Sequence, residues 1–327
     1  MKKRVFSGAR PTGRQHIGNY LGAIQNYVSL QEKYDCIYCI VDIHALTTLE
    51  GRADVKDLQT NIREMLLDWL AAGMDPERSA IFVQSHRPEV MELHTLLSMT
   101  TPLSWLMRVP TFKEKVKMQP QNVNYGLLGY PVLMASDIIL YKAEAVPVGE
   151  DQLAHLELTR EIVRRFNFLY GDTFPEPQAK LTHIPLIIGL DGEQKMSKQL
   201  DNHVELAAAA EETTERIMTA FTDPSRRYRS DPGHPEICNV YSLHQAFFSD
   251  RLDQIAADCR SASIGCVECK KMLAQEINEA LAPFRERRND LAQRPEYLMD
   301  VLVEGARRIE PIARETMREV RENMGLA

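Results

Sequence analysis

"RVFSGARPTGRQHIGNYLGA", residues 4–23, runs from a short β-branched and aromatic stretch through a Pro-Thr-Gly turn into a helical pattern. Strand, turn and helix in that order open a βαβ unit, and the sequence beyond repeats the alternation. After "GNYLGAIQNYVSLQEKY" (18–34) come "CIYCIVDIHAL" (36–46), a helix across 54–72 and "AIFVQS" (80–85). Further on stand "YPVLMASDIILY" (130–141, helix), "AVPVG" (145–149, strand), a helix from about 150 to 170, and "IPLIIGL" (184–190, strand). The pattern predicts an α/β class with a doubly wound parallel sheet over residues 1–200. From 203 onward nearly every stretch is a helix former, so the boundary falls near 200 and an all-helical domain occupies 201–327.

The 327 residues are 44% apolar and 26% charged, which suits two folded domains. No apolar run reaches the ~18 residues of a membrane helix, and "MKKRVFSGARP" has no secretory pattern, so the expected compartment is the cytoplasm with no membrane partner. A net charge of −7 argues against indiscriminate nucleic-acid binding, because phosphate contacts need concentrated Lys and Arg. Two local basic runs, "DPSRRYRSDPG" (Arg226, Arg227, Arg229) and "FRERRND" (Arg285, Arg287, Arg288), read first as solvated faces.

No two glycines stand two apart, so a G-x-G-x-x-G fingerprint is absent, and no Gly-Lys-Ser/Thr exists for a P-loop. The phosphate-handling candidates lie elsewhere. Pro11, Thr12 and Gly13 form the turn after the first strand, and Gly18 opens the helix, where unpaired N–H groups and the helix dipole favour an anion. His16 and Asn19 add donors at the same mouth; a capped turn alone would account for Asn19 but not for the whole set. In "LDGEQKMSKQLDN" (190–202), Lys195 and Lys198 flank Met196 and Ser197, with Gly192 as a hinge. Two loop lysines usually serve solubility. Paired with the His-Ile-Gly element of the same sheet, they become a clamp for a triphosphate whose pyrophosphate must leave.

Tyr130, Met134, Asp137 and Tyr141 fall at helical offsets that share one face, so a carboxylate interrupts an apolar stripe. A buried carboxylate without donors costs several kcal/mol. Something must donate to Asp137.

"HIGN" (16–19) and "KMSK" (195–198) resemble the two signature motifs of the class I aminoacyl-tRNA synthetases, whose catalytic unit is Rossmann-like. Together with "IHA" (43–45), "TFKEK" (111–115) and "VPVGEDQ" (146–152), the sequence resembles the tryptophanyl-tRNA synthetases along most of its length. That resemblance implies L-tryptophan, ATP with Mg2+ and tRNA(Trp) as partners. It also implies a homodimer built around a helical insert at about 90–145, and an anticodon-binding role for 201–327. By the same resemblance His16, Asn19, Lys195 and Lys198 act on the phosphates. Arg10, Pro11, Thr12, Gly18, Gly149, Glu150, Asp151, Leu186, Met196, Ser197 and Gln199 complete the ATP site. Asp137 would accept the indole N–H, Phe6, Met134, Val146 and Val148 would line the ring pocket, Tyr130 and Gln152 would address the ammonium, and His44 would stand nearby. Asn19 replaces a second histidine, Gln199 a common serine, and Arg10 a common glutamine of the family pattern.

Six cysteines remain. Cys36 and Cys39 lie in a strand, where positions three apart point to opposite faces, and read as core thiols. From Cys238 there are 20 intervening residues to Cys259, six to Cys266 and two to Cys269. Four thiolates can close a tetrahedral metal site or hold an iron–sulfur cluster, and one close pair with two separate cysteines favours the cluster. The run "ASIGCVECKK" resembles a bacterial subset of the tryptophan enzymes that carries a [4Fe-4S] cluster in the helical domain. The rival readings are a tyrosyl-tRNA synthetase, a small-molecule nucleotidyltransferase, and a non-catalytic iron–sulfur nucleic-acid-binding protein.

Overall fold

Among the described residues five parallel strands, β1 (Arg4–Ala9), β2 (Asp35–Ile40), β3 (Ser79–Val83), β4 (Ala145–Val148) and β5 (Gln178–Leu181), form one sheet in the order β3-β2-β1-β4-β5. The computed structural model describes residues 2–326 apart from 50, 119, 150–151, 182–186 and 248. The order reverses between β1 and β4, and in an open α/β sheet ligands bind at the carboxyl ends of the strands beside such a reversal.

Period-two alternation sends neighbouring side chains to opposite faces. Cys36, Tyr38 and Ile40 join Ile24, Leu30, Met65 and Trp69 beneath the Leu58–Ala71 helix, whereas Ile37, Cys39 and Val41 join Leu93, Leu97, Ile138 and Ile162 on the other side. Both faces are covered, as a parallel sheet requires. Cys36 and Cys39 are buried free thiols in separate core layers, as their spacing implies.

The fifth described strand precedes the apolar run 184–190 that the sequence pattern predicts as a strand. It is the half-polar "QAKL", while of the apolar run 184–190 the first three residues lie outside the described residues and Ile188 makes only an antiparallel bridge to Lys195. Ile187 and Leu190 instead enter a third core layer with Ile17, Met196, Val204, Leu206, Ile217, Leu273 and Phe284. This layer joins the first turn of the HIGN helix, the KMSK segment and the later helices.

The helix Pro295–Asn323 lies along the edge strand β3. Leu298 and Leu302 reach one face of the sheet and Ile309, Met317 and Val320 the other. Gly305 sits at the crossing: a Cβ there would stand 2.7 Å from the carbonyl carbon of Ile81. An edge covered this way offers no free ladder to another chain.

Candidate active site

A cavity of about 410 Å³ opens beside the carboxyl ends of β1 and β4. It gathers Phe6, His44, Tyr130, Met134, Asp137, Val146, Val148 and Gln152, all eight side chains assigned to the amino acid, together with Arg10 and Gly149 from the ATP set. The strands supply Phe6, Val146 and Val148, and the Tyr125–Leu140 helix supplies the stripe. Tyr141 is the exception: it follows the helix and stacks on Phe6 at 5.7 Å, behind the cavity wall.

Asp137 is 3% exposed, and its donors are now identified. Gln84 Nε2 donates to both carboxylate oxygens, at 2.9 and 2.8 Å, and His44 Nε2 stands 3.1 Å from Oδ2. Gln84 Oε1 in turn accepts from the His44 backbone N–H at 3.1 Å. A carboxylate offers about four lone-pair sites, so capacity remains for a donor inside the cavity.

At the opposite wall, the Tyr130 hydroxyl shares a network with Thr111 Oγ1 and His155 Nε2, the latter at 3.0 Å. Lys115 Nζ lies 3.7 Å from the centroid of the Tyr130 ring. Burial, then the nearby Arg10, lowers this lysine to about 8. The cavity therefore pairs a held carboxylate at one end with a lysine whose proton burial loosens at the other.

The signature segments meet beside the cavity. His16 and Asn19 form a reciprocal cap: Asn19 N–H donates to His16 Nδ1 at 3.3 Å, and His16 N–H donates to Asn19 Oδ1 at 3.1 Å. A neutral imidazole accepting at Nδ1 carries its proton on Nε2, so the ring is left as a donor. Burial, then the charges of His203, Lys198 and Lys195, lowers His16 to about 4, which keeps it neutral near pH 7. A Cβ on Gly18 would crowd the His16 ring at 3.0 Å and Met196 at 3.4 Å, so this glycine lets the two motifs approach.

Lys198 Nζ donates to the carbonyls of Thr12 and, at 2.6 Å, Arg14. Gly13, with φ of +84°, provides the turn that presents both. Lys195 and Gln199 are exposed, Ser197 Oγ accepts from Gln199 N–H at 3.2 Å, and Gly192 has φ of +77°. Met196 departs from the expectation of an open loop, because it is buried in the third core layer. Pro11 is buried and Thr12 exposed in the same turn; Glu150, Asp151 and Leu186 lie outside the described residues.

A family model described as tRNA synthetases class I (W and Y) matches residues 1–282. The curated tryptophan–tRNA ligase of Thermotoga maritima is 47% identical over 99% of each chain, and that of Aquifex aeolicus is 42% identical over 99% of this chain and 100% of its own. The chain belongs to the class I tryptophanyl-tRNA synthetases. The tryptophanyl-tRNA synthetase of Campylobacter jejuni, solved with ADP and tryptophan, superposes with a TM-score of 0.90 at 33% identity, covering 99% and 100% of the two chains. A tyrosyl-tRNA synthetase of Archaeoglobus fulgidus shares the fold at a TM-score of 0.68 and 21% identity.

Two residues that shape this synthetase's site carry no local sequence signal. Gln84 is one. Asn202 is the other: its Oδ1 accepts from Ser197 N–H at 2.7 Å, and its Nδ2 donates to Asp191 Oδ2 at 2.7 Å and Lys195 O at 3.3 Å. That single buried amide ties Lys195 and Ser197 of the KMSK segment to Asp191.

The four later cysteines converge. Burial raises Cys269 to about 12, with Cys238, Cys259 and Cys266 adding to the shift, and Cys259 is raised by burial with Cys238 and Cys266 contributing. Only close neighbours exert such repulsion. Arg226 Nη1 stands 4.0 Å from both Cys259 Sγ and Cys266 Sγ, and its buried Nε has no hydrogen-bond partner. Cys269 Sγ lies 3.5 Å from His244 Nε2. Among the described residues no group of three or more His, Cys, Asp or Glu side chains is set to hold a metal ion.

Proposed function

We propose that this chain joins L-tryptophan to tRNA(Trp) in two steps. In the first, a tryptophan carboxylate oxygen attacks the α-phosphorus of ATP, the bond to the bridging oxygen breaks, and pyrophosphate leaves with that electron pair. In the second, a terminal ribose hydroxyl of the tRNA attacks the activated carbonyl, the ester forms, and AMP departs. Class I chemistry of this kind needs positioning and charge stabilisation more than covalent participation by the protein. Mg2+ enters with ATP as part of the substrate.

The observation that carries the amino-acid assignment is Asp137, fixed by Gln84 and His44 inside an otherwise apolar cavity. It suits a flat apolar ring with one N–H. Tyr130 and Gln152 address the ammonium at the other end. His16 donates from Nε2 and Asn19 from its amide to the phosphates, with Lys195 and Lys198 holding the β and γ groups. For Lys198 this means exchanging two carbonyl acceptors for phosphate oxygens as ATP arrives.

Amino-acid-dependent ATP–pyrophosphate exchange, run with all twenty amino acids, tests the reading. Tryptophan alone should support exchange. Exchange driven by tyrosine would return the tyrosyl rival, and none with any amino acid would support the non-catalytic one.

The helical region 201–327 reads the anticodon in this proposal. The exposed Met99, Leu103, Met107 and Tyr125 belong to a homodimer face on the 90–145 insert. No described helix is long and apolar enough to cross a membrane, and the chain works in the cytoplasm beside the other components of translation. Cys238, Cys259, Cys266 and Cys269 hold a [4Fe-4S] cluster that orders the helical region. The donor set supports this, because Arg226 has its charge against two thiols and would offset thiolates. Protein purified without oxygen should be brown with about four irons per chain. Colourless protein containing zinc would overturn the assignment.

A further inference from the structure

The helix Cys266–Ala292 begins with two of the converging cysteines and ends against the catalytic unit. At its far end Arg287 Nε donates to Ala71 O at 2.7 Å, and Arg288, only 8% exposed, turns inward. Arg288 Nε donates to Asp68 Oδ1 at 2.6 Å and its Nη2 to Glu64 Oε2. Asp68, 0% exposed, uses its other oxygen to accept the backbone N–H of Gln15 at 2.6 Å. Gln15 immediately precedes His16.

The same turn is tied at every neighbouring residue. Arg14 Nε donates to Glu64 Oε2 at 3.1 Å, and the Arg14 carbonyl accepts from Lys198. Gln15 O accepts from Leu206 N–H at 2.8 Å. A buried ion pair that merely fastened two helices would not need the second oxygen of Asp68 committed to the HIGN turn. We infer that Arg288 is a positioning residue for adenylate formation, holding through Asp68 the backbone from which His16 is presented. This rests on the synthetase reading above.

Without the guanidinium, Asp68 would be a buried carboxylate with one backbone donor. Burial already raises its pKa against the pull of Arg288, so the loss of that partner favours protonation and a shift of the turn. Misplacement of a reacting group by ~1 Å can reduce rate by about 10²-fold.

The test compares wild type, Arg288→Gln, Arg288→Lys and the double variant Asp68→Asn/Arg288→Leu, which removes both charges and keeps the fold accessible. Tryptophan-dependent exchange should lose about 10- to 100-fold in kcat in Arg288→Gln, while the Kd for tryptophan measured without ATP stays within about twofold of wild type. Arg288→Lys should recover part of kcat, and the double variant should be no slower than Arg288→Gln, since both break one chain of contacts. A folded Arg288→Gln with lowered Tm but unchanged kcat would overturn the inference, as would an equal loss in tryptophan affinity. If wild type itself shows no exchange, the functional reading fails instead.

Discussion

On the proposal that Asp137 accepts the indole N–H, replacing it should cost tryptophan activation far more than ATP binding. The carboxylate is held by Gln84 and His44 before any ligand arrives, so its bond to a substrate N–H is a charge-assisted one added to a prepared acceptor. Hydrogen bonds to charged groups contribute about 1.5–3 kcal/mol. At ~1.4 kcal/mol per decade, Asp137→Ala should lower kcat/KM for tryptophan by roughly 10- to 100-fold, with KM for ATP unchanged. The fold is also affected, because the buried amide of Gln84 and ring of His44 lose their acceptor, at about 1–3 kcal/mol for each orphaned group. Asp137→Asn is no rescue: its amide NH2 would face the Gln84 NH2 or His44. The assay is pyrophosphate exchange with tryptophan and with 1-methyltryptophan, which lacks the N–H. Wild type should discriminate strongly and the alanine variant weakly. If the variant kept the wild-type preference, or lost ATP and tryptophan affinity equally, the role given to Asp137 would be wrong.

Three further outcomes are expected. Gly305→Ala should destabilise the protein by about 3 kcal/mol, read as a fall in Tm, because the new methyl meets the β3 backbone rather than a side chain that can turn away. His16 titrates near 4 in the fold against about 6.5 unfolded, so the unfolded chain binds more protons between those values and stability should fall as pH drops from 6.5 to 4. At ~1.4 kcal/mol per unit the full effect is up to about 3 kcal/mol, and urea titrations of His16→Gln should show a flatter pH dependence over that window. Asn202→Ala should leave the Kd for tryptophan unaltered but reduce kcat for exchange about tenfold, since the KMSK segment loses two hydrogen bonds and its tie to Asp191 at once.

The stripe of Tyr130, Met134 and Asp137 was legible because helical spacing puts those residues on one face, and the cavity contains all three. HIGN and KMSK were legible as polar and glycine-bearing turns beside hydrophobic strands. Gln84, Asn202 and the pair of Asp68 with Arg288 were not. Gln84 and the Asp68–Arg288 pair act across long sequence separations, where neither periodicity nor local composition records a partner, and Asn202 acts within an irregular loop that has no period to read. The described part of the expected last strand, 187–190, shows how apolar content alone misleads. The apolar content of 184–190 looks like a buried strand, yet Ile187 and Leu190 serve the layer under Met196, and the sheet edge takes "QAKL" by backbone pairing to β4. Arg288 shows the converse error: in a run of arginines it reads as solvent-facing, and it is among the most buried cations of the described residues.

The seat of Gly305 on β3 also bears on how the chain is made. Strand β3 ends at Val83, whereas its cover begins only at Pro295. A nascent chain leaving the ribosome thus carries an uncovered strand edge while the roughly two hundred residues between β3 and its cover are made. Until then that edge offers apolar side chains and unpaired backbone groups to any neighbour. A chain stopped before Pro295 would be released with that edge exposed and prone to join other chains edge to edge.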